Sequence, residues 1–298
     1  MSLRKLLTGT GVALVTPFKA STHVDFDALG RVLDHVIDNG AEYVVTLGTT
    51  GETPTLDNEE KIDIIHYTCE KVNERVPVVV GIGGNNTREV MENLQSFPLE
   101  KAVAVLSASP YYNKPSPEGI FQHYKNLASA SPKPVILYNV PGRTGSNINA
   151  ETTLRLAREV DNIAGIKEAS GNMIQCMHML RDRPDDFLVV SGDDHLTLPL
   201  IACGMDGVIS VAANSFPADF SQMVRHCLEG DFKAARPLHY KCLEGNDLLF
   251  AENNPAGVKA FLYEMGIIEN VLRLPLVPLS GGVHQKVKAF LKKLKINN

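Results

Sequence analysis

Lys167 ends the run Asn162-Ile-Ala-Gly-Ile166, and a lysine at the close of an apolar stretch is the most reactive feature of this sequence. Strand alternation places its side chain on the face shared by Ile163 and Gly165. Poor hydration there favours the uncharged amine, the form that attacks a ketone and condenses with it to an imine. The structural alternative is a buried ion pair with Glu168 or Glu52. Imine chemistry also needs protons moved, and a chain of O–H groups relays them without net charge. Tyr138, Thr49 and Tyr112 are suited to that relay. Each also has a plainer use, the tyrosines as packing with a satisfied hydroxyl and Thr49 as the cap of a following helix.

Two further features suit carboxylates. The glycines of Gly48-Thr-Thr-Gly-Glu52 let backbone amides approach a ligand ahead of a helix, which makes an anion cradle. Arg143 offers a bidentate fork for a second carboxylate, or otherwise a surface salt bridge. Other chemistries lack their signatures. The nine histidines include no H-E-x-x-H, and Asp193-Asp-His195 reads as a helix start, so no metal site is expected. No G-x-S-x-G elbow occurs, and the glycines near Gly9 and Gly81 both miss G-x-G-x-x-G.

These residues stand just after short apolar runs. The runs are Val12–Val15, Tyr43–Leu47, Val78–Val80, Ala102–Leu106, Val135–Tyr138, Ile163–Ile166, Phe187–Val190 and Gly207–Val211. Helical patterns lie between them, starting at Asp25, about Glu59, Thr87, Ser116-Pro117, Asn149 (with Thr152 adding cap chemistry), Asn172 and Asp194. Nearly continuous apolar strands are those of a parallel sheet covered on both faces. Eight such units predict an α/β fold, a (β/α)8 TIM barrel, whose working face is the C-terminal end of its strands. That end is where Thr49, Tyr112, Tyr138, Arg143, Lys167 and Ser191-Gly192 fall. From about Gly230 the strand signal stops, and helical patterns at 231–250, 257–266 and 282–296 follow. The division expected is a barrel over 1–229 with a C-terminal helical appendage over 230–298.

Composition narrows the class further. A net charge of −5 gives no electrostatic reason to expect nucleic acid. The lysines at 286, 288, 292, 293 and 295 read as the wet face of a last helix. No apolar run approaches the roughly 20 residues that cross a bilayer, and the opening segment is too short for a signal-peptide core. Five scattered cysteines without a C-x-x-C pair suit reduced thiols, and a cytoplasmic location is expected.

The motifs Gly48-Thr-Thr-Gly-Glu52, Pro110-Tyr-Tyr-Asn113, Tyr138-Asn-Val-Pro141 with Arg143, Gly165-Ile-Lys-Glu-Ala-Ser-Gly171, Ser191-Gly-Asp-Asp194 and Gly207-Val-Ile-Ser210 run in order along the chain. Asn254-Pro255 and Leu272-Arg-Leu-Pro275 continue the match into the helical tail. Together they resemble the dihydrodipicolinate synthase family, pyruvate-dependent class I aldolases grouped with N-acetylneuraminate lyase. The resemblance implies an imine between Lys167 and pyruvate, with no metal or organic cofactor. It implies a relay of Tyr138, Thr49 and Tyr112, the last reaching into a neighbouring subunit of a homotetramer built as a dimer of dimers. Thr50 would hold the pyruvate carboxylate, Gly192 and Ile209 would contribute main-chain contacts, and Arg143 would bind the carboxylate of L-aspartate semialdehyde. The product would be 4-hydroxy-tetrahydrodipicolinate, on the route to lysine and diaminopimelate.

Sialic acid lyases of this family generally lack the arginine, which favours a carboxylated aldehyde over a sugar. A sialic acid or 2-keto-3-deoxy sugar acid aldolase is the nearest alternative, and a non-catalytic keto-acid sensor is a more distant one. Lysine-sensitive members bind the effector at a subunit interface; Thr53, Asn85, Glu89 and Tyr111 match positions that would suit it, whereas Asn58 and Lys61 stand where sensitive members often carry histidine or an acid. Lys61 would repel a lysine ammonium, so inhibition by lysine is expected to be weak or absent.

Overall fold

The computed structural model describes residues 2–296; Met1 and the last two residues of the 230–298 region lie outside it, as do the side chains of Lys295 and Ile296. Eight parallel strands close into a barrel in chain order, with the last pairing to the first. The elements run α1 (Leu3–Leu6), β1 (Gly9–Ala13), α2 (Phe26–Asp38), β2 (Tyr43–Thr46), α3 (Asn58–Val72), β3 (Val78–Gly81), α4 (Thr87–Ser96), β4 (Ala104–Ala108) and α5 (Pro117–Ala130). They continue with β5 (Val135–Asn139), α6 (Pro141–Thr144), α7 (Ala150–Glu159), β6 (Ile163–Glu168), α8 (Met173–Asp182), β7 (Leu188–Ser191), α9 (Thr197–Ala202), β8 (Gly207–Ser210) and α10 (Pro217–Leu228). Three helices complete the chain: α11 (Phe232–Phe250), α12 (Ala256–Glu264) and α13 (Gly281–Ile296).

The expected barrel is therefore present, and strand alternation builds two cores. Inside the barrel lie Ala13, Tyr43, Val45, Val79, Leu106, Ile136, Tyr138, Leu188, Val190 and Ile209. Between strands and helices lie Val12, Val44, Val80, Leu137, Ile166 and Val189 with Leu29, Ile64, Leu94, Phe121, Met179 and Phe220. At the N-terminal end of the barrel the Tyr43 ring fills the space over Gly11, where an added Cβ would meet it at 2.1 Å. Leu3, Leu6 and Leu7 close that end from below.

Helix starts follow their caps. Asp57 and Glu60 form a reciprocal capping box at α3, and Asn149 accepts from the Thr152 amide at α7. Thr152 is thus the capped residue and not a second cap. Four other expectations need correction. β1 begins at Gly9 and stops before Leu14, because closure pairs Gly9 with Gly207, while Val15 N–H turns to the Asn214 side chain. β4 likewise starts two residues late, at Ala104. The helix after β7 starts at Thr197 and not at Asp194, because the Asp194 carboxylate is drawn to β8. It accepts from Ser210 Oγ at 2.6 Å and from the Val211 and Ala212 amides at 3.1 and 3.0 Å. Finally, Ile163 does not share a face with Lys167. A register shift beside Val135 makes Ala164 an extra residue, so Ile163 packs outward while Gly165 and Lys167 line up with Ile136 and Tyr138.

On α5, His123 is buried, with Nδ1 2.8 Å from Thr87 Oγ1 and no partner for Nε2 among the described residues. Burial lowers its pKa from 6.5 to about 4. The unfolded chain thus takes up this proton near pH 6.5 and the folded chain only near pH 4. The stability held above pH 6.5 is lost as pH falls between those values, by about 3 kcal/mol. Chemical denaturation at stepped pH should show this acid limb, and His123→Gln should flatten it.

Candidate active site

The C-terminal ends of β5 and β6 place Tyr138 and Lys167 side by side in register. Lys167 is 5 % exposed, and its Nζ lies 4.4 Å from the centre of the Tyr138 ring. Neither carboxylate considered as its partner is available. Glu168 points outward from the barrel, where it accepts from Asn139 Nδ2, Gln175 Nε2 and the Ser170 amide at 2.8, 3.1 and 2.6 Å. Glu52 is paired with Lys259. Among the described residues Lys167 therefore has no ion-pair partner, so the structural ion pair is ruled out. The amide network around Glu168, extended by Asn139 to the Ile148 amide at 2.9 Å, braces the two strand ends from behind.

Gly192, after β7, lies directly against the lysine. A Cβ there would sit 2.8 Å from Lys167 Cε, so only glycine lets the backbone approach this closely. Ile209 is fully buried on β8, inside the barrel opposite Gly11.

The Gly48–Glu52 segment forms a 3-10 turn at Thr49–Gly51, capped by Gly48 without a side-chain bond, so Thr49 does not act as a helix cap. The Gly51 and Glu52 amides bond back to the Gly48 and Thr49 carbonyls. Those two amides are not free for a ligand, and the expected cradle is correspondingly narrower. Four side chains hold the turn: Thr16 donates to Gly51 O at 2.7 Å, Thr53 to Gly48 O at 2.9 Å, Asn254 to Thr50 Oγ1 at 3.0 Å, and Lys259 pairs with Glu52.

Arg143, on the short helix α6, is exposed and makes no salt bridge among the described residues. Its Nη2 donates to Asn253 Oδ1 at 3.2 Å and to Asn254 O at 3.4 Å. Tyr112 lies in the loop after β4, 88 % exposed and in the left-handed region at φ 71°. No hydrogen bond joins the hydroxyls of Tyr138, Thr49 and Tyr112 within the described residues of this single chain. The six effector-site candidates fall on the loops and helix starts after β2, β3 and β4. Only Asn58 and Lys61 bond to each other, at 3.4 Å. Within the described residues, no group of three His, Cys, Asp or Glu side chains is placed to hold a metal ion, and no helix is long and apolar enough to cross a membrane.

Asn254 and Lys259 contribute to the site although neither stands near a strand end in the sequence. Asn254-Pro255 enters only as part of a matching segment, although its side chain reaches Thr50. Lys259 had a visible signal, since it is the one charge inside Ala256-Gly-Val-Lys-Ala-Phe-Leu262, and every residue of that stretch is buried.

Comparison with known proteins agrees with this geometry. The model of the dihydrodipicolinate synthetase family matches residues 6–294. A 4-hydroxy-tetrahydrodipicolinate synthase of Parabacteroides distasonis is 52 % identical over 97 % of this chain and 98 % of its own. The crystal structure of dihydrodipicolinate synthase from Aquifex aeolicus superposes with a TM-score of 0.94 at 39 % identity, over 97 % of this chain and 98 % of that one. The chloride-inhibited enzyme of Acinetobacter baumannii, complexed with pyruvate, gives 0.93 at 39 % identity, over 96 % and 98 %. With its barrel, its buried lysine and a match spanning nearly every residue, the chain belongs to the dihydrodipicolinate synthetase family.

Proposed function

We propose that this chain is a 4-hydroxy-tetrahydrodipicolinate synthase in which Lys167 carries pyruvate as an imine. The observation that carries this reading is a lysine buried at the mouth of the barrel, stacked on a tyrosine and lacking any carboxylate partner among the described residues. Its amine attacks the keto carbon of pyruvate, and loss of water gives the imine. Removal of a methyl proton gives the enamine, whose terminal carbon adds to the aldehyde carbon of L-aspartate semialdehyde. The amino group of that substrate then displaces Lys167 from the former keto carbon, closing the ring and freeing the enzyme.

Tyr138 is the proton carrier nearest the imine, with Thr49 and Tyr112 extending the relay. The exposure of Tyr112 in the single chain supports its reaching into a neighbour's site, and with it a tetramer made of two dimers. Thr50 holds the pyruvate carboxylate, Gly192 and Ile209 supply main-chain contacts, and Arg143 takes the carboxylate of the aldehyde. The chemistry requires no metal or organic cofactor, and the setting is the cytoplasm. The barrel spans 1–229 and the appended helices 230–298, a division supported by the end of α10 at Leu228.

Coupled assays with L-aspartate semialdehyde and with N-acetylmannosamine test the reading, and a preference for the sugar would overturn it. Replacing Arg143 by alanine should raise KM for L-aspartate semialdehyde by about 10- to 100-fold, the worth of one charge-assisted interaction. KM for pyruvate should stay within about two-fold, because the arginine would contact only the second substrate.

A further inference from the structure

If Thr50 holds the pyruvate carboxylate, its hydroxyl must point its only proton at that carboxylate. Asn254 is placed to arrange this. Its Nδ2–H donates to Thr50 Oγ1 at 3.0 Å, and the side chain is buried, 4 % exposed. A hydroxyl that accepts from the amide directs its own proton elsewhere, and among the described residues Thr50 Oγ1 donates to no other group. The far end of the amide, Oδ1, is buried and has no partner among the described residues. The bond to Thr50 is thus the one hydrogen bond that fixes the side-chain amide of Asn254 among the described residues. The same loop meets the second carboxylate site, since Asn253 Oδ1 and Asn254 O accept from Arg143. Asn253 is held at φ 93°, and its Oδ1 also accepts the Asn254 amide at 2.9 Å.

We propose that Asn254, from the segment between α11 and α12, is a positioning residue for pyruvate that acts through Thr50, keeping the threonine as an acceptor so that its proton faces the keto acid. The inference rests on the reading of Thr50 given above.

The test uses full-length Thr50→Ala, Asn254→Ala, Asn254→Asp and the double variant Thr50→Ala/Asn254→Ala. Without aldehyde, the pyruvate concentration that gives half-maximal borohydride trapping on Lys167 reports keto-acid binding apart from later steps. Thr50→Ala and Asn254→Ala should each raise it about ten-fold, the loss of one hydrogen bond. Asn254→Asp should raise it further, by about 100-fold. An aspartate only accepts, so it takes the threonine proton and adds a negative charge beside the carboxylate. On the Thr50→Ala background, Asn254→Ala should change the value less than about two-fold, because the two residues act as one unit.

The inference is overturned if both Asn254 variants stay within two-fold of the parent while Thr50→Ala does not. It is overturned equally if the Asn254→Ala effect persists undiminished without the threonine, as a merely structural role would require. Should Thr50→Ala leave binding unchanged, the reading of Thr50 itself falls, and the role of Asn254 with it. Asn254→Asp is isosteric, so the comparison stands even if the alanine variant fails to fold.

Discussion

Lys167→Ala should abolish turnover, lowering kcat/KM by about 10⁴-fold or more, while leaving the protein as stable as the parent or more so. The first half follows from chemistry. Without the amine there is no imine, and covalent catalysis supplies a large share of the million-fold or greater accelerations typical of enzymes. The second half follows from the surroundings. The side chain is buried, 5 % exposed, and stacks on Tyr138 with no carboxylate beside it in the described residues. A buried amine without a counter-ion contributes little to folding, and its removal relieves desolvation. Activity and thermal melting measured on the same preparation would show both halves. A variant that melts far below the parent would mean that the lysine is a structural element.

Lys259, the other buried lysine among the described residues, should behave in the opposite way. Lys259 is 0 % exposed; it pairs with Glu52, donates to Val271 O at 2.9 Å and lies 4.2 Å from the centre of the Phe18 ring. Burial, opposed by the Glu52 carboxylate, lowers its pKa to about 8. Lys259→Met strands an uncompensated carboxylate in the interior, at a cost of about 3–5 kcal/mol. That corresponds to a fall in Tm on the order of 10 °C. The double variant Glu52→Gln/Lys259→Met removes both charges and should recover at least half of the loss. Equal destabilisation of the single and double variants, read by calorimetry, would contradict the pairing argument. Glu52 follows directly on the turn that carries Thr49 and Thr50, and its Oε2 also accepts the Arg273 amide at 3.0 Å. One buried pair thus docks the C-terminal helices onto the turn that carries Thr49 and Thr50.

The contrast between the two lysines marks where sequence reading reaches its limit. Lys167 was legible because its position relative to a strand is local, as are the apolar runs that make the barrel. The partner of Glu52 was not, because Lys259 lies on a helix beyond all eight strands, and nothing in either neighbourhood names the other. Asn254 was hidden for the same reason. The facing of Ile163 was misread because simple alternation does not register the extra residue at Ala164. The start of β1 was missed because Gly9 and Thr10 carry no apolar signal, and pairing with β8 recruits them. Asp194 resembles a helix cap by residue type, yet its carboxylate stitches β7 to β8. Burial raises its pKa, against the hydrogen bonds from Ser210, Ala212 and Val211 that favour the charged form. The helix α6, which carries Arg143, spans only Pro141–Thr144 and has too few residues for any periodicity to show.

Reduction with borohydride in the presence of pyruvate, followed by mass measurement of the whole chain and of its peptides, shows whether Lys167 carries the imine. One irreversible three-carbon adduct per chain is expected, located on Lys167. An unchanged mass, or an adduct carried by any other lysine, would contradict that expectation.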